Sequence, residues 1–440
     1  MAVAVALGAS ASANVDAPAD ATLRRGRALD AVADGLLVVH AHRAMAWNED
    51  SFRQDPVFYA LTGLENTVGA LLVLDGPARQ SWLFLPGAEP GLLAARAPEV
   101  APGDDAARRL GIDHVVAAGD LPAFLARAAA RSPRPVVYYL AERGLANEIA
   151  ARALEPALAK VPLWVRALGD AAGASTFRDA TAAVHALLEV QTDSERRAAR
   201  AAGKASVAAF LAGLHAVRPG VGQRRIEAEV VSACWAAGVH GTSFWPWAMA
   251  GPNAVFPRPF ASLGRYDHLE RTLGAGDLVR LDVGCEAEHL QGDVGRTVPA
   301  SGRFDAGQRE AWTVFVAAYR AAAAALRPGA TDETVFAAWR AELVRRGAAM
   351  TTELGRRAVA RWSDRKNLPF WELHTTGLVV SAPSRGLREG MTLDLEPIAD
   401  VDGQGFYLED MYLVTRDGVE LLTPGLPTSA DEIEAAMAAR

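Results

Sequence analysis

The chain reads as a mixed α/β protein of two domains, on three observations. Its front part alternates strand-like with helix-like segments, a long helical run begins at residue 193, and the closing stretch is rich in strands. Its 440 residues, half of them hydrophobic and 22% charged, are enough for two sizeable cores. The divisions fall at 1–20 (a signal remnant or disordered tail), 21–180 (an α/β domain) and 181–430 (a second, α+β domain).

The opening MAVAVALGASASANVDAP is an apolar run that ends in Ala-Ser-Ala, like a leader cleavage site, but it lacks a charged start. Two readings stand. Either it is the remnant of a signal on an exported protein, or it is an Ala-rich tail on a cytoplasmic one. Later apolar runs are broken by charge, so no membrane span is expected. DGLLVVH (34–40) is a short apolar run and predicts a buried strand. ALLVLDGPARQSWLFLP (70–86) predicts two strands about a Gly-Pro turn. LPAFLARAAARS (121–132) and AERGLANEIAARALEPALAK (141–160) predict helices, with PVVYYL (135–140) as a strand between them.

DSERRAARAAGKASVAAFLAGLHA (193–216) predicts a helix with Asp193 or Ser194 as N-cap, ended by Arg218-Pro219-Gly220. A second helix covers 222–237, and Trp- and Pro-rich loops lead to a β-hairpin over 281–297. Helices over 308–326 and 331–347 flank Arg327-Pro328-Gly329, and LHTTGLVV, MTLDLEP, GFYLEDMYLVT and VELLT predict the closing strands. Helix, Arg-Pro-Gly, helix occurs twice, which suggests an internal duplication of 193–300 and 308–415.

A net charge of −7 gives no sign of a nucleic-acid partner, which calls for a basic patch. The two cysteines, Cys234 and Cys285, argue against a disulfide framework and a thiolate cluster. Any metal must then be held by oxygen and imidazole. The hairpin carries Asp282 and Asp293, although strand interiors avoid Asp. His374, Glu396 and Glu409 sit in equally strand-like surroundings. Alone, each acid reads as an exposed strand residue. Together, four carboxylates and an imidazole cannot be buried and ionised on a sheet without cations. Two divalent ions resolve this, with two carboxylates bridging; the donor set suits Mn²⁺ first, and Zn²⁺, Co²⁺ or Fe²⁺, rather than copper. Paired ions polarise a carbonyl and activate water, which is hydrolytic chemistry.

The series LDVG…DVGRT, LHTTG, MTLDLEP and YLEDMYLVTRDG resembles the pita-bread metallopeptidases: aminopeptidase P, prolidase, methionine aminopeptidase and creatinase. Their pattern is Asp, a second Asp eleven residues on in D-x-x-R-T, His in H-x-x-G, Glu in T-x-E-P, and Glu before Asp near V-T. These fall here on Asp282, Asp293, His374, Glu396 and Glu409. SFRQDPVFYALTGLENTVGALLVLD (51–75) resembles the N-terminal domain of the aminopeptidase P branch. The resemblance implies a creatinase-like α/β domain followed by a pita-bread catalytic domain. It implies that Asp282 chelates one ion, Asp293 and Glu409 bridge both, and His374 and Glu396 bind the other. A hydroxide between the ions then attacks an amide bond next to proline, with Glu396 carrying its proton. A peptide or small-amide substrate is implied, as is a homo-oligomer, dimer or tetramer, joined through the N-terminal domain.

The family's extra imidazoles are replaced. The first stands at the end of G-x-N-x-x-x-x-H, where GPNAVFPR places Arg258; the second stands seven residues after the metal His, at Ser381. An Arg common two residues before the last Glu is here Tyr407. His268 lies in a longer segment before Asp282 and is either a substitute imidazole or an exposed loop residue. Arg258 is either a surface residue or a two-pronged clamp on a substrate carboxylate. SFWPWAMAGPN (243–253) either lines a substrate pocket or packs under a loop. These departures leave an alternative in view: a metal-binding pseudoenzyme, or a non-peptidase hydrolase of C–N bonds.

Overall fold

The structure, a computed structural model, describes residues 17–42, 52–87, 99–132, 134–141 and 161–439. The helix expected over 141–160 lies outside the described residues save Ala141, as does the expected tail up to residue 16. From Ala17 the chain is helical to Ala31. Two compact units divide the chain, one up to Leu188 and one from Glu189. Among the described residues, no helix is long and apolar enough to cross a membrane.

The first unit is built on a mixed sheet of β1 (Gly35–His40), β2 (Leu71–Asp75), β3 (Gln80–Leu85), β4 (His114–Ala117), β5 (Val136–Tyr139) and β6 (Thr176–Asp179), in the order β4-β3-β2-β1-β5-β6. β2 and β3 form the expected hairpin, whose turn is tied by Ala78 N–H donating to Asp75. Parallel neighbours β1–β5, β5–β6 and β3–β4 require crossovers. Helix Asp104–Leu110 lies in the β3–β4 crossover and helix Leu163–Ala171 in the β5–β6 one, while helix Leu121–Arg131, between β4 and β5, buries Phe124, Leu125 and Ala128 against Val38, Val73 and Phe84. Gln54 is buried, accepting from His42 N–H (2.7 Å) and donating to the Thr67 carbonyl (2.6 Å), so it ties three segments together. Asp55 caps helix Pro56–Thr62, which ends on Gly63 in the left-handed region.

The second unit holds an antiparallel sheet of β7 (Trp247–Ala250), β8 (Leu278–Val283), β11 (Val294–Pro299), β12 (Phe370–Thr375), β13 (Thr392–Val401), β14 (Gln404–Val414) and β15 (Val419–Leu421). The order is β12-β13-β14-β11-β8-β7, with β15 beside β14. A small ribbon, β9 (Glu286–Ala287) and β10 (Leu290–Gln291), extends the hairpin between β8 and β11, and Asp293 stands one residue before β11 rather than within a strand. Helix Asp193–Ala216 spans the expected residues, but its N-cap is Thr192, not Asp193 or Ser194. Thr192 and Glu195 form a reciprocal capping box, while Asp193, in the first turn, pairs with Arg196. Helices Gln223–Ala236, Ala306–Ala323 and Asp332–Gly347 follow expectation; helix Glu353–Trp362 was not anticipated. Each half therefore contributes paired helices and then antiparallel strands, and the halves meet where β11 pairs with β14.

Alternation along the strands gives the sheet two distinct faces. Val279, Leu281 and Val283 of β8, Leu393 and Leu395 of β13, and Phe406 and Leu408 of β14 share one core with Phe210, Trp312, Phe315, Trp339 and Trp362 of the helices. Cys234 and Cys285 lie in the same core and form a disulfide, a single bond that the cysteine count did not suggest. It closes a separation of 51 residues, and a loop of that size is worth about 4 kcal/mol in the chain-entropy account. The double substitution Cys234→Ala with Cys285→Ala is expected to lower the melting temperature by several degrees. An unchanged value by calorimetry would show that the bond adds no stability.

Candidate metal centre

The face of the sheet turned away from the helical core carries a different residue set. Arg280 and Asp282 come from β8, Asp394 and Glu396 from β13, and Tyr407 and Glu409 from β14, each two residues apart. Register aligns them in rows. Asp282 and Glu409 are both paired with Gly295 of β11, one on either side. The pairs Leu395–Asp410 and Ile398–Tyr407 bracket Glu396 and Glu409 at one level. His374 of β12 lies opposite Asp394. Like charges directly opposite on neighbouring strands repel, and these are dry. Asp394 and Glu409 are 0% exposed, His374 3% and Asp282 5%.

The five residues expected to act together do converge. His374 Nε2 lies 3.4 Å from Glu409 Oε1 and 3.7 Å from Glu396 Oε2. One donor atom from each of Asp293, His374, Asp394 and Glu409 falls within 4.8 Å of the others. Asp282 joins through Arg280, whose Nη2 donates to its Oδ2 (2.7 Å) and lies 3.5 Å from Glu396 Oε1. The Arg280 guanidinium stacks 4.2 Å over the Tyr407 ring, and the Tyr407 hydroxyl donates a short bond to Glu409. This stacking needs Gly295. A Cβ there would lie 1.7 Å from Tyr407 Cε1, so only glycine lets the ring cross β11.

Charge is under-compensated. Burial, reinforced by the negative charge of Glu409, pushes Asp282 up to about 6 despite Arg280. Burial and the surrounding acids hold Asp293, Asp394 and Glu396 well above the usual carboxylate range. Burial opposes protonation of His374, but Glu409, Asp394 and Glu396 outweigh it and raise the imidazole. Asp293 Oδ1 and both oxygens of Asp394 have no hydrogen-bond partner. His374 Nδ1 is placed to donate to the Thr375 carbonyl (3.1 Å), which turns Nε2 toward two carboxylates. Orphaned buried oxygens gathered with an imidazole nitrogen are what a divalent cation satisfies, so the donor set fits the expected metal.

The other expected residues spread out. Tyr407 belongs to the buried patch itself. Ser381 N–H donates to Thr375 Oγ1, beside His374. Arg258 is exposed at the start of helix Arg258–Ser262, with Nη2 3.4 Å from Asn253 Oδ1. His268 has a left-handed φ of 47° and sets its ring against Trp245. In the aromatic stretch, Trp245 donates to Glu227, while Trp247 packs on Phe260.

Two members of the patch escaped the sequence reading. The T-x-E-P motif puts Thr where this chain has Asp394, and that substitution was the available signal. Arg280 had a subtler one. The Arg missing two residues before Glu409 reappears two residues before Asp282, and its guanidinium reaches over the tyrosine that took its place.

Known proteins resemble this arrangement along most of the chain. The model of metallopeptidase family M24 matches residues 197–416, and that of the aminopeptidase P N-terminal domain matches 21–138. An Xaa-Pro aminopeptidase of Escherichia coli is 27% identical over 288 residues, 60% of this chain and 63% of that protein. The match thus spans about three fifths of that relative's length. The structure of proline aminopeptidase P II from Yersinia pestis is 24% identical with a TM-score of 0.72, covering 96% of this chain and 100% of that one. Aminopeptidase PepP of Pseudomonas aeruginosa is 25% identical with a TM-score of 0.69, covering 95% and 97%.

Two expectations follow from the electrostatics. Acids and a histidine raised in the folded state bind protons that the unfolded chain releases, acids above about pH 4 and histidine above about 6.5. Their contribution to stability is therefore present at low pH and lost as pH rises through the folded values, about 6 for Asp282. A divalent ion competes with those protons. The rise in melting temperature on adding Mn²⁺ to chelator-treated protein should thus grow from pH 5 to pH 8; a constant or shrinking rise contradicts it. Gly295→Ala should displace Tyr407 and lower both stability and metal uptake, which calorimetry and metal analysis would record.

Proposed function

This chain belongs to metallopeptidase family M24, and from that premise we propose a dinuclear-metal-dependent hydrolase of the Xaa-Pro aminopeptidase type that cleaves an amide bond next to proline. One observation carries the dinuclear reading. Among the described residues, Asp282, Asp293, Asp394, Glu396 and Glu409 share one patch with one guanidinium, Arg280. Five carboxylates less one guanidinium leave four negative charges, the charge of two divalent cations. The aminopeptidase P N-terminal match and the name of the Escherichia coli relative support the substrate class.

In this proposal Asp282 would hold one ion, His374 and Glu396 would hold the other, and Asp293 and Glu409 would serve both, with Mn²⁺ preferred. Bound there, two divalent cations polarise the scissile carbonyl and acidify water. The chain's own groups do the rest. Glu396 retains 13% side-chain exposure and a raised proton affinity, so it can take a proton from the attacking water and give it to the leaving nitrogen. Arg280 fixes the Asp282 and Glu396 carboxylates together, and the Tyr407 hydroxyl fixes Glu409. A homo-oligomer joined through the N-terminal domain belongs to the same proposal, and sedimentation velocity measures it.

Arg258 and Ser381 in place of imidazoles favour a second reading, a small amide or other C–N substrate whose carboxylate Arg258 would clamp. Protein loaded with Mn²⁺, Co²⁺ or Zn²⁺ and offered Xaa-Pro peptides separates the two. Turnover that Asp293→Ala or Glu409→Ala abolishes, and that Glu396→Gln lowers by about 10²–10⁴, supports the first. Turnover of other small amides alone supports the second. Stoichiometric metal without any amide turnover points to a binding protein.

A further inference from the structure

Asp394 stands outside the motif residues, and the sheet does not explain it. It is 0% exposed, neither oxygen accepts a hydrogen bond, and its cross-strand partners are His374 and Met411. The Thr376 hydroxyl favours its charged form, but as the least of the influences on it, and that hydroxyl is itself unpaired. A dry, unpartnered carboxylate is costly, and the T-x-E-P threonine would avoid the cost with a neutral hydroxyl. What surrounds Asp394 is a donor set: Asp293, His374 and Glu409 each place an atom within 4.8 Å of it and of one another. Metal bonds of about 2.0–2.2 Å let four such atoms close on one ion after small movements.

We propose that Asp394 is a direct ligand of the ion held by His374, a sixth protein ligand that the family motif does not include. This rests on the dinuclear reading above. It gives that ion the carboxylates Asp293, Asp394, Glu396 and Glu409 with one imidazole, a more anionic set than Asp282, Asp293 and Glu409 give the other. The two sites are consequently unequal. The His374 site, with the greater negative charge, fills first.

The test compares the full chain with Asp394→Asn by Mn²⁺ calorimetry, electron paramagnetic resonance and melting. The unaltered protein should take up two ions in separate steps, and Asp394→Asn should weaken the first step by about 10–100-fold and spare the second. Without metal, Asp394→Asn should melt higher than the unaltered protein, because one of the crowded buried acids is gone, yet gain less on Mn²⁺ addition. A merely structural role would lower both values. Asp394→Thr, the motif's own residue, serves if the Asn variant does not fold. X-ray absorption of the unaltered protein with one equivalent of Zn²⁺ should show one imidazole and at least three oxygens. Two ions bound with the same first-step affinity in both proteins would overturn the role of Asp394 and leave the dinuclear reading standing. No ion bound by the unaltered protein would overturn both.

Discussion

Several carboxylates gathered on one water-excluded face of a sheet repel one another, and the second unit is organised around supplying the opposing charge. Each of Asp282, Asp394, Glu396 and Glu409 occupies a strand position that alternation assigns to that face. Among the described residues, the guanidinium that meets them is Arg280, which answers part of the charge and is held flat by Tyr407. The rest is left for cations. Register, the glycine at 295 and the stacked tyrosine are all consequences of holding acids this close together.

The opposite face makes such crowding tolerable. A core of Trp312, Phe315, Trp339, Trp362 and Phe406, with rings in mutual contact, fixes the helices to the sheet and keeps the strands in place. That face has a buried guanidinium of its own. Arg296, from the D-x-x-R-T motif, donates to the Glu409 carbonyl, the Pro427 carbonyl, Asp410 and Thr428. With its charge paired to Asp410 and its donors used, Arg296 meets the conditions under which a buried ion is tolerated. The two arginines therefore act on opposite faces of one sheet, one toward acids and one toward backbone.

Helices with plain periodicity and stop residues were legible, as at 193–216, and so was the hairpin around Asp75–Arg79. The motif acids were legible because their order and flanks agree. What stayed hidden has a common physical cause. V-R-L-D, L-D-L-E and Y-L-E alternate polar with apolar residues, which is the pattern of a strand with one solvated face. Alternation reports that a second face exists; it does not report whether water reaches it. Nothing in that pattern therefore singles out Arg280 or Asp394. The Cys234–Cys285 bond depends on a helix and a strand end meeting in space, which spacing alone does not encode. Helix Glu353–Trp362 did leave a signal, because Gly355, Ala358, Val359 and Trp362 are buried at helical spacing and Thr352 caps it, but the run is short and its buried face is half small residues.

The junction between the halves of the second unit is narrow. β11 and β14 share two registered residue pairs, against six between β8 and β11 and eight between β13 and β14. Arg296 bridges this junction where ladder bonds are few. The sheet thus has a built-in parting line. Amide protons along β11 and β14 should exchange with solvent before those of the interior hairpins, and unzipping should begin between the halves while each still keeps its own paired helices.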